Sequence, residues 1–205
     1  VKKYTTKQEG SMLRIIAARK IGLVEEGTSG GLIESEANLS QEGDAWVSGD
    51  ARVSGDARVY GNAWVYGNAW VSGNAWVYGN AWVSDNAWVS GDARVSGDAR
   101  VYGNAWVSGN AWVYGNALVS GDALVYGNAD MIQIGPLGSR RSTLTIFRTK
   151  IGHALATGCF LGTVGDFEAR LDAKNEAHDD YRMFLPAIKL WIAALEARVA
   201  GKEVS

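Results

Sequence analysis

Gly61-Asn62-Ala63-Trp64-Val65-Tyr66 is followed at once by Gly67-Asn68-Ala69-Trp70-Val71-Ser72, and these twelve residues decide the fold. In an extended chain, successive side chains point to opposite faces. Ala63 and Val65 therefore share one face, and Trp64 and Tyr66 share the other. Gly61-Asn62 is a turn pair, because glycine and asparagine accept positive φ at low cost. The unit reads as a short strand and a tight corner. It recurs fifteen times from Gly43 to Ile132 as Gly, Asn/Asp, Ala, Trp/Arg/Leu, Val, Ser/Tyr. Asp85 replaces one glycine, and the last unit is Gly127-Asn128-Ala129-Asp130-Met131-Ile132.

A strand this short cannot bury its alanine and valine alone. Stacked coils can, by closing around a thin apolar interior. Three units per coil make an 18-residue turn of triangular section, so fifteen units predict five regular coils. At ~4.8 Å per strand the stack is roughly 24 Å tall. One outward face then stacks Trp46, Trp64, Trp82, Arg100 and Leu118. The second stacks Arg52, Trp70, Trp88, Trp106 and Leu124. The third stacks Arg58, Trp76, Arg94, Trp112 and Asp130, beside Tyr60, Tyr78 and Tyr114. This register places Arg94 for cation–π contact with Trp76 and Trp112. It also sets no two corner aspartates directly above one another, which avoids like-charge stacking. Three roles are open to the tryptophans: stiffening the coils, forming a subunit interface, or offering a platform to a flat ligand.

The Val-x-Gly-Asn-Ala-x pattern resembles the hexapeptide motif of left-handed β-helices, as in the hexapeptide acyltransferases. The resemblance implies a left-handed parallel β-helix and favours a homotrimer. Such acyltransferases use a histidine base on the coils and a loop thrown out from a corner. Fifteen uninterrupted units leave no such loop, and the only histidines, His153 and His178, lie beyond them.

Residues 1–42 read as an N-terminal cap with a degenerate first coil, 43–138 as the β-helix, and 139–205 as a small α+β module. Met12–Ala17 reads as a strand. Ile33 and Leu39 are six apart and belong to the degenerate coil, with a bulged corner before Val47. Met131 to Leu137 continues the six-residue step. Thr143–Arg148 and His153–Ala156 read as paired strands. Thr163 to Asp166 forms a capping box before a helix that turns Phe167 and Leu171 inward. Pro186 opens a second helix, with Ile188, Trp191, Ile192, Leu195 and Val199 inward and Gly201 as its stop.

Gly27-Thr28-Ser29-Gly30-Gly31-Leu32-Ile33-Glu34-Ser35-Glu36 with Asn38-Leu39-Ser40, Ile134-Gly135-Pro136-Leu137-Gly138-Ser139-Arg140, and Gly158-Cys159-Phe160-Leu161-Gly162-Thr163 resemble segments of phage and prophage proteins with repeats of this kind. Thr28-Ser29 departs from the more acidic turn of that family. The resemblance implies viral origin and action in the host cytoplasm, and it carries no defined chemistry.

Net charge is −2, so nothing in the charge balance points to nucleic acid or a membrane surface. No apolar run reaches the roughly 20 residues that span a bilayer. Cys159 is the single cysteine, which excludes an internal disulfide and suits a buried core position. No metal site, cofactor site or catalytic set is expected.

Identical coils offer no unique address, so specific binding is expected at the ends: Arg140, Arg141, Arg148, Lys150 and Phe160 beyond the coils, Glu34 and Glu36 before them. The oligomer or aromatic surface is assigned to Trp64, Trp70, Trp76, Trp82, Trp88, Trp106, Trp112, Arg94 and Arg100. The leading reading is a non-enzymatic binding or inhibitor protein acting on a host protein or small ligand, including anti-viral defence components. Two alternatives stand beside it: an acyl- or nucleotide-handling enzyme at a subunit junction using Arg140, Arg141 or His153, and a scaffold or virion protein.

Overall fold

The protein is described by a computed structural model covering residues 1–138, 141–173 and 179–203. The N-terminal strands are β1 (Tyr4–Glu9), β2 (Met12–Ala17) and β3 (Ser29–Ile33). Fourteen two-residue strands follow at six-residue steps, β4 (Trp46–Val47) through β17 (Leu124–Val125). The chain ends in β18 (Met131–Leu137), β19 (Ser142–Thr149), β20 (Gly152–Thr157), β21 (Phe160–Gly162), α1 (Val164–Ala173) and α2 (Asp179–Glu203).

The two-residue strands pair in parallel with strands 18 residues away: Trp64 with Trp82, Trp70 with Trp88, Trp76 with Arg94. They form three sheets, one per face of a parallel β-solenoid. Every repeat alanine and valine from Ala45 to Val125 is fully buried. This is the mainly β solenoid with a C-terminal α+β module that the repeat dictates.

Most of the hydrogen bonds between coils run in one direction. Trp64 N donates to Ala81 O at 2.9 Å, Tyr66 N to Val83 O at 3.0 Å and Asn62 N to Gly79 O at 2.8 Å. These donors reach forward one coil, and only the strand valine N–H points back, so the N-terminal end is left richer in bare carbonyls and the C-terminal end richer in bare N–H groups. Buried backbone groups must be paired, and the caps supply the matching chemistry. At the N-terminal end the caps donate. Lys3 Nζ donates to Ala45 O at 2.9 Å, Arg14 Nη1 to Gly49 O at 3.3 Å, and Asn38 Nδ2 to Gly55 O and Ala57 O at 2.8 and 2.9 Å. Backbone N–H groups of Leu32, Glu34 and Ser40 cover Ala51, Val53 and Val59. At the other end oxygens accept: Asn128 Oδ1 from Trp112 N at 2.8 Å, Thr145 Oγ1 from Leu118 N at 3.2 Å, and Asp130 Oδ2 from Tyr126 N at 2.9 Å.

The corners explain the invariant small residue. Gly61 has φ +71°, and a Cβ there would meet the Gly79 backbone N at 3.1 Å. Asp85 takes the same left-handed conformation at φ +59°. Its carboxylate accepts from Gly103 N at 3.1 Å, which holds the one non-glycine corner. The Asn/Asp column beside it forms amide ladders: Asn62 to Asn80 to Asp98, Asn68 to Asn86 to Asn104 to Asp122, and Asn74 to Asp92. Each asparagine donates to the oxygen one coil on. Aspartate can only accept, so it ends the ladder and never follows another aspartate.

Ile33 pairs with Val53 and Leu39 with Val59, so the degenerate first coil is real. Four expectations change. Trp46 stands in register below Trp64 but is buried, because Gly30 of β3 lies against it where a Cβ would sit 2.7 Å from its ring. Asp130 sits in a 3-10 turn over Asn128–Asp130 and caps the coil rather than extending the third column. Met131–Leu137 is the edge strand of an antiparallel sheet of four strands, β18 to β21, not a further coil step. Helix α2 starts at Asp179 and runs through Pro186 and Gly201 to Glu203. The early start carries Tyr181 into the module core beside Phe167. Of the expected inward set, Ile188, Ile192 and Leu195 are buried and Trp191 is half-buried, while the Val199 side chain lies outside the described residues.

The module docks directly. Met131, Phe147 and Ala156 join the solenoid core from one side of the sheet, while Leu144, Ile146 and Leu155 face α1 and α2 on the other. The capping box forms as expected, Thr163 N donating to Asp166 Oδ2 at 2.9 Å and Asp166 N to Thr163 Oγ1 at 3.2 Å.

Three outcomes are expected. Val65→Asp should abolish the thermal unfolding transition seen by circular dichroism, since it puts an unpaired charge in a dry interior. Asn104→Asp should set two carboxylates in adjacent rungs with Asp122. It should cost about 1 kcal/mol at neutral pH by denaturant titration, with the loss recovered once the carboxylates protonate. The third concerns pH. Burial pulls the buried Lys3 ammonium down to about 8 from 10.5 and pushes the Tyr4 hydroxyl up to about 12 from 10.0. Between pH 8 and 10 the unfolded chain holds a proton that folded Lys3 has released, so stability should rise by roughly 2 kcal/mol. Above pH 10, folded Tyr4 keeps a proton that the unfolded chain loses, so the gain should reverse. Lys3→Met should flatten the rise.

Candidate functional site

The outward residues are not equivalent, and the column next to them decides why. On the face of β8, β11 and β14, the last position of each unit is serine: Ser54, Ser72, Ser90 and Ser108. Small neighbours leave room for the indoles to lie on one another. Trp70 and Trp88 stack at 5.3 Å between ring centroids with planes 7° apart, and Trp88 and Trp106 at 5.1 Å and 5°. Trp70 Nε1 donates to Ser54 Oγ and Trp88 Nε1 to Ser72 Oγ, both at 3.3 Å. Tyr126 meets Trp106 edge-on at 5.7 Å, and the Arg148 guanidinium lies over Tyr126 at 5.7 Å. The result is one continuous ladder from Trp70 to Arg148.

The other two faces carry tyrosines beside the tryptophans, and their indole stacks are broken, although Tyr60 and Tyr78 lie on one another at 5.0 Å. Tyr60 and Tyr66 stand edge-on against Trp76 and Trp82 at 6.1 and 6.2 Å. Arg94 lies over Trp76 at 5.3 Å and Arg100 over Trp82 at 4.8 Å. Arg94 thus stacks on Trp76, and among the described residues no such contact to Trp112 forms, because each side chain leans toward the coil before it. Trp112 instead meets Tyr114 at 5.4 Å. Trp70, Trp76, Trp82, Trp88, Trp106 and Trp112 stay exposed, at 37–44%. Trp64 is half-buried against the core.

Among the described residues, those expected to bind beyond the coils do not form one cluster. Arg148 and Lys150 stand at the β19–β20 hairpin. Arg141 and Phe160 lie at the far ends of those strands; Arg141 is seven residue steps from Arg148, roughly 23 Å of extended chain. Phe160 packs against Phe167 at 5.1 Å, with the Arg170 guanidinium 5.6 Å from its ring. Arg140 and His178 fall outside the described residues. Glu34 accepts from Gly55 N at 2.6 Å, and Glu36 pairs with Lys2 at 3.5 Å, so both serve the cap. Cys159 is exposed in the β20–β21 turn, contrary to the core position expected, with Arg170 Nη2 3.6 Å from its sulfur. His153 Nδ1 is 3.2 Å from Glu196 Oε1, which ties α2 to β20.

Sequence reasoning placed Arg52 in a column but gave it no role. Its guanidinium makes no hydrogen bond, ion pair or ring contact among the described residues, unlike Arg94 and Arg100. A groove of about 210 Å³ opens beside it, lined by Asp50, Arg52, Asn68, Ala69 and Trp70. The signal was present: this is the column with an arginine below a run of three tryptophans, each followed two residues on by serine.

Comparison with known families agrees with this geometry. The coils match the family described as YdcK Beta solenoid repeat at residues 51–67, 57–73, 63–79, 75–91, 93–109, 99–115 and 111–127. Each match begins a multiple of six residues after the first, so all share the structural phase. The chain is a repeat β-helix protein. No curated protein matches it. Among the described residues no three His, Cys, Asp or Glu side chains are grouped to hold a metal ion, and no helix is long and apolar enough to cross a membrane.

Trp88→Ala should break the ladder at its centre. The near-ultraviolet circular dichroism of the stacked indoles should fall by more than the loss of one tryptophan. Trp112→Ala, which removes an indole outside the stack, should subtract only its own share.

Proposed function

We propose that this repeat β-helix protein is a non-enzymatic binding protein that presents the Trp70–Trp88–Trp106 ladder to a partner. The observation that carries the reading is the ladder itself: three indoles, each 37–42% exposed, held in fixed register on a rigid sheet. Exposed aromatic patches of this kind mark association surfaces, and tryptophan is enriched among residues that dominate binding energy. A solenoid face loses little conformational entropy on docking, which favours such a surface further. Arg148, at the top of the ladder, adds a charge where the repeated surface stops repeating.

The resemblance to phage and prophage proteins supports a host factor as the partner, including components of anti-viral defence, with the host cytoplasm as the setting. The aromatic columns on the other two faces support self-association as well, with a homotrimer as the assembly. The two surfaces separate experimentally. Sedimentation velocity at micromolar concentration should give a trimer for wild type. Immobilised wild-type protein should retain a discrete partner from host lysate; Trp88→Ala should lose it with no change in sedimentation or thermal midpoint, and Arg148→Ala should weaken it. Retention unchanged by Trp88→Ala would contradict the reading.

A further inference from the structure

We infer that the foot of the ladder is a small-ligand site for a planar heteroaromatic ring with a hydrogen-bond-donor edge and an anionic substituent, the chemistry of a free guanine mononucleotide. The proposal goes beyond partner docking, because it concerns the one ladder indole with an open face. Trp88 covers one side of Trp70 at 5.3 Å, and among the described residues no ring or guanidinium covers the other. On the neighbouring faces that same side is filled: Tyr60 stands against Trp76 and Tyr66 against Trp82. At Trp70 the equivalent position is Ser54, which takes the indole N–H at 3.3 Å and leaves the ring face clear.

The walls of the groove specify the rest of the ligand. Asn68 donates its amide to Asn86 at 3.1 Å, so its oxygen is left facing the coil below. Below it stands Asp50, which has only acceptors to offer. Two acceptors side by side beside a stacking surface select an edge with two donors, such as the N1–H and N2–H₂ edge of guanine. Arg52 pairs in register directly below Trp70 and supplies an unengaged guanidinium for a phosphate. The nearby Arg14 is already held by Glu9 at 2.8 Å, so Arg52 is the cation left for a ligand. The groove of about 210 Å³ takes one ring system and leaves sugar and phosphate at its mouth. That is below the roughly 300–1,000 Å³ of drug-sized pockets, so a dissociation constant of about 1 mM or somewhat tighter is expected. The surroundings oppose a nucleic-acid polymer: the net charge is −2, and Asp56 and Asp122 stand on the two corners of the same face.

The test is ligand-observed NMR and calorimetry of the intact protein with guanosine 5′-monophosphate as the probe. Guanosine tests the phosphate, inosine 5′-monophosphate the N2 amino group, and ribose 5-phosphate the ring. Wild type should bind guanosine 5′-monophosphate. Guanosine and inosine 5′-monophosphate should each bind at least about threefold more weakly, and ribose 5-phosphate not measurably. Trp70→Ala should abolish binding, Trp70→Phe should retain part of it, and Arg52→Gln should reduce the preference for the phosphorylated probe. Met183→Ser, at an exposed position on α2, should leave it unchanged. The proposal is overturned if wild type shows no binding at ten-millimolar probe, if ribose 5-phosphate binds as well as the nucleotide, or if Trp70→Ala binds as wild type does. Partner retention by the Trp88→Ala protein is a separate readout, so either conclusion can fail without the other.

Discussion

A two-residue strand has no hydrogen-bond partner within its own coil, and the molecule follows from how that shortage is met. The N–H of each strand's first residue reaches forward to a carbonyl seventeen residues on, as from Trp64 to Ala81 at 2.9 Å, while that of the valine after it points back to the coil before. The forward bonds outnumber the backward ones, so the stack is polar, with carbonyls prevailing at one end and N–H groups at the other. Alanine and valine fill the narrow interior of the regular coils, where the three sheets close on themselves. Glycine holds the corners because the next coil's backbone lies where a side chain would begin. Neither end can be left open, since a bare strand edge is a template for further pairing. The caps are chosen by hydrogen-bond sense: lysine, arginine and asparagine amide below, and asparagine, aspartate and threonine oxygens above.

That polarity also shapes the surface. Asparagine can relay a hydrogen bond from one coil to the next, and aspartate can only receive one. The corner ladders therefore run through asparagine and stop at Asp92, Asp98 and Asp122. Tryptophan rings lean toward the coil before them, so their surroundings are set by the residue sixteen positions earlier. Serine there yields the continuous stack of Trp70, Trp88 and Trp106; tyrosine there yields edge-on pairs and closed rings. The repeated unit thus builds a uniform scaffold, and small changes in its last position distribute function over it.

Most of the scaffold was legible in the sequence. The period of six, the alternation of Ala-x-Val, and Gly-Asn corners determine strand, turn and core together, so columns and registers follow by counting. The degenerate coil at Ile33 and Leu39 and the capping box at Thr163 obeyed the same local rules. What failed was whatever depended on contacts distant in sequence. Trp46 carries the repeat signature, yet β3 folds over it. Nothing in the sequence singles out Lys3, yet it plugs an end whose polarity only the assembled stack reveals. Arg141 and Phe160 are near Arg148 in sequence, but strands β19 and β20 carry them to the other side of the module. The open face of Trp70 depends on Ser54, in a different coil and a different column.

The central claim is that residues eighteen apart are stacked neighbours along the whole solenoid. Disulfide formation tests it directly, in a Cys159→Ser background that removes the native thiol. Ser72→Cys with Ser90→Cys joins positions one coil apart, where Cα atoms ~4.8 Å apart lie within disulfide reach. Ser72→Cys with Ser84→Cys is closer in sequence but joins positions on different faces. The account predicts rapid, near-complete oxidation of the first pair without loss of thermal stability, and none within the chain for the second. Equal oxidation of both pairs, or ready oxidation of the second alone, would contradict it.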